Sequence, residues 1–314
     1  MKVLIAESGR FCAEALAVIS GLGEVDAADV DRAGLLARVG DCEVLWVRLR
    51  HRVDRDLLNA AGALRVIVTP TTGLDHIDEA EVARRGMTIL SLKGETEFLR
   101  GIHATAEHTL ALTLALLRQV VPAAAHVDGG GWNRDLFRGR EIQGKTVGIV
   151  GYGRLGRIVA GYFVALGASV LATDPNVSQD AMEDHVAWVP FRTLLQQSDI
   201  VSLHVSLDEA SDGMFDETAF DAMKPGAILV NTARGAVLDE QALLAHLESG
   251  RLGGAALDVL CHEDSTGMQA HPLVAYARAH RNLLVTPHIG GCTDESMAST
   301  ELFMAKKLAS FYGR

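Results

Sequence analysis

The chain has little of what marks a disulfide-stapled, membrane-spanning or nucleic-acid-binding protein. Its four cysteines (Cys12, Cys42, Cys261, Cys292) are scattered over 314 residues and form no CxxC pair. That excludes a zinc knuckle and a thioredoxin-type site, and no other metal site is expected; thiols so spaced in a long chain read as reduced. The longest charge-free stretch, 158–173, is interrupted by Gly161 and Gly167, and a bilayer crossing needs about 20 apolar residues. The N-terminal apolar run ends at Glu7, so no signal peptide is expected and the compartment is read as cytoplasmic. Basic charge is scarce: 29 Lys and Arg stand against 40 Asp and Glu, a net charge of −11. Such a balance argues against nucleic acid and anionic membranes as partners, and an acidic substrate would need local arginines. Seven prolines are too few for a linker-rich chain.

What is there is apolar and periodic. Hydrophobic residues make up 48% of the chain, enough to bury a core, and the length suits two domains. In the first third, strands are expected at 3–6, 43–47, 65–68 and 87–90, with helices at 13–19, 54–63 and 78–85. Strands separated by helical patterns of about ten residues mean βαβ units and a parallel sheet. A long helical pattern over 103–127 is apolar around most of its circumference. It is expected to be buried against the second domain or a second subunit, and Pro122 should kink or end it. Six further strand-like runs follow, at 146–150, 169–173, 200–204, 227–231, 254–258 and 283–286, matching one dinucleotide-binding domain. A last helix over 294–312 should pack back on the first domain.

The strongest local signal is TVGIVGYGRLGR. Gly151, Gly153 and Gly156 form GxGxxG, a weak pattern by itself in a chain with 31 glycines. Here it follows an apolar strand, opens a helix and ends one βαβ unit later at Asp174. The glycines permit a tight turn and close backbone approach to a pyrophosphate, and the helix N-terminus offers free N–H groups. Asp174, at the next strand end, can accept hydrogen bonds from ribose hydroxyls and repels a 2′-phosphate. NAD is therefore expected over NADP.

With that turn placed, TTGLDHID (71–78), ATAEHT (104–109), GKTVGIVGYGRLGR (144–157), LVNTARGAVLDE (229–240), GAALDVLCHE (254–263) and TPHIGG (286–291) together resemble the D-isomer-specific 2-hydroxyacid dehydrogenase family. The pattern is phosphoglycerate-dehydrogenase-like, and the end at Arg314 is read as leaving no regulatory domain. The resemblance implies two doubly wound α/β domains: a Rossmann NAD-binding domain (102–289) inserted in a flavodoxin-like substrate domain (1–101 plus 290–314), with the active site in the cleft between them. It implies hydride transfer between the nicotinamide and C2 of a small 2-oxo or 2-hydroxy acid. Arg234 would hold the substrate carboxylate and polarise the 2-oxo group, a task a planar guanidinium suits. His288 would be the general acid/base, since imidazole titrates near neutrality. Glu263 would hydrogen-bond and orient that ring.

Cofactor contacts would extend from the turn (Tyr152, Arg154, Leu155) to His204, Val205, Thr232, Ala233, Arg234, Asp258 and His288. Thr72, Gly73 and Leu74 would meet the substrate carboxylate. Arg48 and Arg50 would either add charge to the site or form a solvated basic run. The 103–127 helix and the following Trp132 loop would make a homodimer. The chain departs from the family pattern at His76, where asparagine is common, and at Ser206, where proline is common. A longer segment before the 103–127 helix makes 95–100 a candidate lid. Two other functions stay open: a related NAD oxidoreductase acting on another small anion such as formate or phosphite, and an NAD-sensing, corepressor-like binding protein.

Overall fold

The computed structural model describes residues 1–263 and 267–313; Arg314, the end of the expected substrate domain, lies outside them. In chain order the first elements are β1 (Lys2–Ile5), α1 (Ala13–Ser20), β2 (Glu24–Ala27), α2 (Arg32–Arg38), β3 (Val44–Trp46), α3 (Arg55–Ala60), β4 (Val66–Val68), α4 (Glu79–Arg84), β5 (Thr88–Leu90) and α5 (Thr96–Leu99). Then come α6 (Ala104–Leu117), α7 (Val120–Asp128), β6 (Thr146–Val150), α8 (Arg154–Ala165), β7 (Ser169–Thr173), β8 (Val186–Trp188), α9 (Phe191–Gln197) and β9 (Ile200–Leu203). The chain continues through α10 (Glu217–Ala222), β10 (Ile228–Asn231), α11 (Glu240–Glu248), β11 (Gly254–Leu257), α12 (Pro272–Ala279), β12 (Leu283–Val285) and α13 (Asp294–Phe311). Two units result: Met1–Ile102 with Cys292–Arg314, and His103–Gly291. Among the described residues no single helix is long and apolar enough to cross a membrane.

The first unit is a five-stranded parallel sheet ordered β2-β1-β3-β4-β5, the flavodoxin-like arrangement. Alternate residues of its strands serve different cores. Leu4, Leu45 and Ile67 face Leu35, Leu57 and Val82 of α2, α3 and α4. Val3, Ile5, Trp46 and Val68 face Ile19 of α1 and Met304 and Leu308 of α13. Helices therefore cover both faces, which is why strands of a parallel sheet read as unbroken apolar runs. The expectation omitted β2, whose EVDA sequence is only half-buried to exposed and so carries no apolar run. The segment at 95–100 is held down: Leu99 is buried, Phe98 stacks on Phe303 with centroids 4.0 Å apart, and Lys307 pairs with Glu95.

The second unit is a seven-stranded parallel sheet ordered β12-β11-β10-β9-β6-β7-β8, the Rossmann order extended by one strand. The six-strand expectation passed over β8, a short VAW segment that completes one edge of the classic order, while β12 extends the sheet at the other edge. Helices α6 and α8 cover one face and α9 to α12 the other. The long helical pattern divides earlier than expected. Gln119, at φ +50°, separates α6 from α7, while Pro122 falls in the first turn of α7, where its missing N–H has no helical partner to lose.

Candidate active site

In the second unit the residues expected to meet cofactor or substrate lie at or just beyond the carboxyl ends of strands, or on the first turn of α8. The phosphate turn joins β6 to α8. Gly151 stands at φ +92°, and a Cβ there would fall 2.7 Å from the carbonyl of His204, so only glycine fits. A Cβ on Gly156 would stand 2.0 Å from Gly151 O, which is how α8 comes so close to the turn. At Gly153, the N-cap of α8, a Cβ would meet nothing within 4 Å, and no side chain caps the helix there. Open space before uncapped helix N–H groups is what a pyrophosphate needs. Tyr152 is buried under the turn, with the Arg157 guanidinium 4.5 Å above its ring. Arg154 and Leu155 open α8, and burial lowers the Arg154 guanidinium from its ordinary value.

Asp174 ties the end of β7 to this turn: its carboxylate accepts Tyr152 N and Asn176 N, both at 2.8 Å. Two oxygens with two lone pairs each keep capacity for ribose hydroxyls. After β9, His204 donates its backbone N–H to Val150 O at 2.7 Å and sets Nε2 2.8 Å from Ser202 Oγ. The residue is half-buried, yet its Nδ1 is enclosed without a hydrogen-bond partner. Burial pushes the imidazole down to about 3, so it is neutral; Val205 follows it.

Beyond β10, the buried Asn231 shapes the NTARG loop by accepting Ala233 N and donating to Arg234 O, both at 2.9 Å. Thr232 Oγ1 lies 2.8 Å from Thr109 Oγ1. Arg234 is half-buried with an extended backbone and donates Nη1–H to Ala233 O at 2.7 Å.

Asp258, just past β11, is 2% exposed. Its Oδ1 accepts Thr286 Oγ1 at 2.6 Å, Ile289 N at 2.9 Å and His108 Nε2 at 3.1 Å, and its Oδ2 accepts Gly290 N at 2.7 Å. Burial alone would raise this carboxyl; the bonds from His108, Thr286, Ile289 and Gly290 outweigh it and hold the group below its ordinary value. His288, three residues beyond β12, sits at φ +54° with its N–H on Asp258 O at 2.8 Å. A left-handed backbone at a non-glycine residue costs roughly 1–3 kcal/mol and persists where surroundings over-determine it. Its Nδ1 pairs with Glu263 Oε1, and Glu263 Oε2 accepts Leu260 N at 3.3 Å. The structure thus joins Glu263, His288 and Asp258 in one constellation, as it joins Tyr152 to Asp174.

Two members of that constellation, His108 and Thr286, were inside quoted motifs without being singled out. The AEH of ATAEHT is the signal that a histidine on α6 was available, but not which strand end it meets.

In the first unit, Thr72, Gly73 and Leu74 follow β4. Thr71 Oγ1 donates to Gly73 O at 2.8 Å, and the buried His76 brings Nε2 to 3.3 Å from Thr69 Oγ1, bracing the loop from below. Arg48 is turned inward: its guanidinium pairs with the fully buried Glu301, donates to Gly9 O at 3.0 Å and lies 5.8 Å from the Phe11 ring centroid. Arg50 pairs with Asp29.

Residues 110–290 match the family model described as D-isomer specific 2-hydroxyacid dehydrogenase, NAD binding domain. Over 282 residues the chain is 37% identical to D-3-phosphoglycerate dehydrogenase of Mycobacterium leprae, covering 89% of this chain and 51% of that protein. The chain therefore spans about half the length of the curated relatives it matches. Among solved structures, the TT0316 protein of Thermus thermophilus aligns with TM-score 0.83 at 33% identity, over 100% of this chain and 98% of that one. The NAD complex of NAD-dependent formate dehydrogenase from Staphylococcus aureus aligns with TM-score 0.85 at 26% identity, over 99% and 96%.

Proposed function

Because the chain belongs to the D-isomer-specific 2-hydroxyacid dehydrogenase family, we propose that it is an NAD-dependent oxidoreductase interconverting a small D-2-hydroxy acid and its 2-oxo acid. The observation that carries the reading is the Glu263–His288 pair at the carboxyl edge of the same sheet that carries the phosphate turn. Strand order adds to it. Arg234, Asp258 and His288 follow β10, β11 and β12, which are neighbours, so Arg234 and His288 leave strands about 10 Å apart with Asp258 between them.

The turn fits the cofactor: Gly151 and Gly156 make the bend, the open side of Gly153 and the first turn of α8 would take the pyrophosphate, and Asp174 would take the ribose. His204, Val205, Thr232 and Ala233 would flank the rest. When bound, NADH supplies a hydride to substrate C2. Arg234 would bind the carboxylate and draw charge toward the oxo oxygen. His288 donates Nδ1–H to Glu263, which leaves Nε2 to give its proton to that oxygen, or to remove it in the reverse direction. Thr72, Gly73 and Leu74 are retained as backbone partners of the substrate carboxylate. Arg48 would bring to a substrate a guanidinium already paired with Glu301.

A homodimer and a cytoplasmic location belong to the same proposal. Val120, Val121 and Val127 of α7, with Trp132 (90% exposed) and Leu136, form an exposed apolar arm of the kind a second subunit covers. The four cysteines are all free thiols.

The test is NADH oxidation by the purified protein against a panel of 2-oxo acids, half of them phosphorylated, with His288→Ala alongside. Turnover on a panel member, reduced by orders of magnitude in His288→Ala while NADH still binds, is expected. Full activity in that variant removes His288 from the chemistry. Silence of the wild type on the whole panel, with NADH still bound, points to the binding-protein alternative.

A further inference from the structure

We infer that His108 is a positioning residue for His288, holding through Asp258 the turn that presents the catalytic ring; the inference rests on the dehydrogenase reading above. Asp258 is the hub. Three of its four side-chain donors, Thr286 Oγ1, Ile289 N and Gly290 N, come from the turn on either side of His288. Those three belong to the turn itself, whose backbone is tied to the end of β11 by Thr286 N on Leu257 O at 2.9 Å and His288 N on Asp258 O at 2.8 Å, so they do not set the carboxylate independently of it. Among the described residues the fourth donor, His108 Nε2, is the one from outside, carried on α6 and 150 residues away along the chain.

His108 Nε2 lies 3.1 Å from both Asp258 Oδ1 and Thr286 Oγ1. Since Thr286 Oγ1 donates its own proton to Asp258 Oδ1, its lone pairs are free to accept, and one imidazole N–H addresses both partners. α6 packs on β11 and β12, so the imidazole is anchored on a rigid element, while the turn it reaches contains a residue at φ +54°. A strained backbone of that kind keeps its geometry only while its surroundings leave it no alternative. With the outside donor removed, Asp258 loses the contact that sets its side chain independently of the turn. His288 then keeps its partner Glu263 but not its fixed direction, and small losses of aim in a reacting group are costly.

The experiment compares His108→Leu, His108→Gln and His108→Asn with the wild type. Three readouts are taken: steady-state kinetics, NADH titration, and NMR signals of the His288 ring. Glutamine places its amide N–H where Nε2 stood, and asparagine falls short. Leucine is expected to lower kcat roughly 10-fold to 100-fold while KM and NADH affinity stay within about 2-fold, and glutamine to restore most of the rate. Wild-type kcat in His108→Leu, or glutamine falling as far as leucine, overturns the inference. If the leucine variant does not fold, glutamine should remain several-fold more active than asparagine, and equality overturns it. If even the wild type is silent on every 2-oxo acid, the dehydrogenase reading fails on its own. The His288 signals still decide the positioning: displaced with leucine and restored with glutamine supports it, and unmoved in all three overturns it.

Discussion

The Asp258 carboxylate accepts the backbone N–H of Gly290 at 2.7 Å, and no room for a side chain is left between them. A Cβ on Gly290 would stand 2.9 Å from Asp258 Oδ2 and 3.2 Å from Thr105 Cγ2. Gly290→Ala must therefore push the turn off Asp258. A loss of about 1–3 kcal/mol in unfolding free energy is expected, as for an overpacked interior site, together with reduced turnover and unchanged NADH affinity. Denaturant unfolding and a single kinetic series check this; a variant as stable and as active as the wild type contradicts it.

Among the described residues the Asp174 carboxylate accepts two hydrogen bonds, from Tyr152 N and Asn176 N. Asp174→Ala should weaken NADH binding and lower the preference for NADH over NADPH, because both the ribose acceptor and the charge opposing a 2′-phosphate are lost. Affinities for the two cofactors measured side by side give the answer, and an unaltered ratio rejects the ribose role.

His204 predicts an acid limit to stability. Its imidazole, pushed down to about 3 by burial, stays neutral in the folded chain while the unfolded chain takes a proton below about 6.5. The unfolded state thus binds more protons between those values, and the stability present above about 6.5 is lost as the pH falls toward 3. His204→Gln, which keeps an N–H for Ser202, should shrink the difference in unfolding free energy between pH 7.5 and pH 5 by about 1–2 kcal/mol. The same difference in both proteins would show that His204 protonates freely in the fold.

The Arg48–Glu301 pair joins the end of β3 to α13, with Glu301 at 0% exposure and Arg48 at 17%. Glu301→Gln leaves a guanidinium largely enclosed with no counter-charge, and breaking such a pair costs about 3–5 kcal/mol when fully buried. Because Arg48 keeps some solvent contact, a loss of about 2–4 kcal/mol is expected, with KM for the active 2-oxo acid unchanged. A changed KM at unchanged stability would return Arg48 to the substrate.

Much of the arrangement was legible residue by residue. Gly151, Gly153 and Gly156 announce themselves because a tight turn and close backbone approach demand glycine at fixed spacing. Asp174 and the runs around β6, β7 and β9 to β12 follow from the βαβ rhythm. Helix α2 escaped although Asp31 caps it, whereas the two strands that escaped have little local signal. β2 and β8 are short and half-exposed, so pairing rather than composition makes them strands. The break at Gln119 passed unnoticed beside the more conspicuous Pro122, because a left-handed residue carries no marker when it is not glycine. Arg48 stood open between a charge at the substrate site and a solvated basic run, and only α13, some 250 positions later, supplies the buried carboxylate that turns it inward.

Taken by itself, the order of residues determined the two parallel sheets and the phosphate turn, each resting on local periodicity or on a short motif whose spacing a chemistry requires. Arg234, Glu263 and His288 came forward only through the family resemblance of the motifs that carry them. Tertiary structure alone decided which partners those groups find: His108 with Asp258, Arg48 with Glu301, Thr109 with Thr232. Such pairs join helices and strand ends far apart in the chain. Nothing in local sequence encodes a contact that forms only when sheet order and helix packing bring two distant side chains within hydrogen-bonding reach.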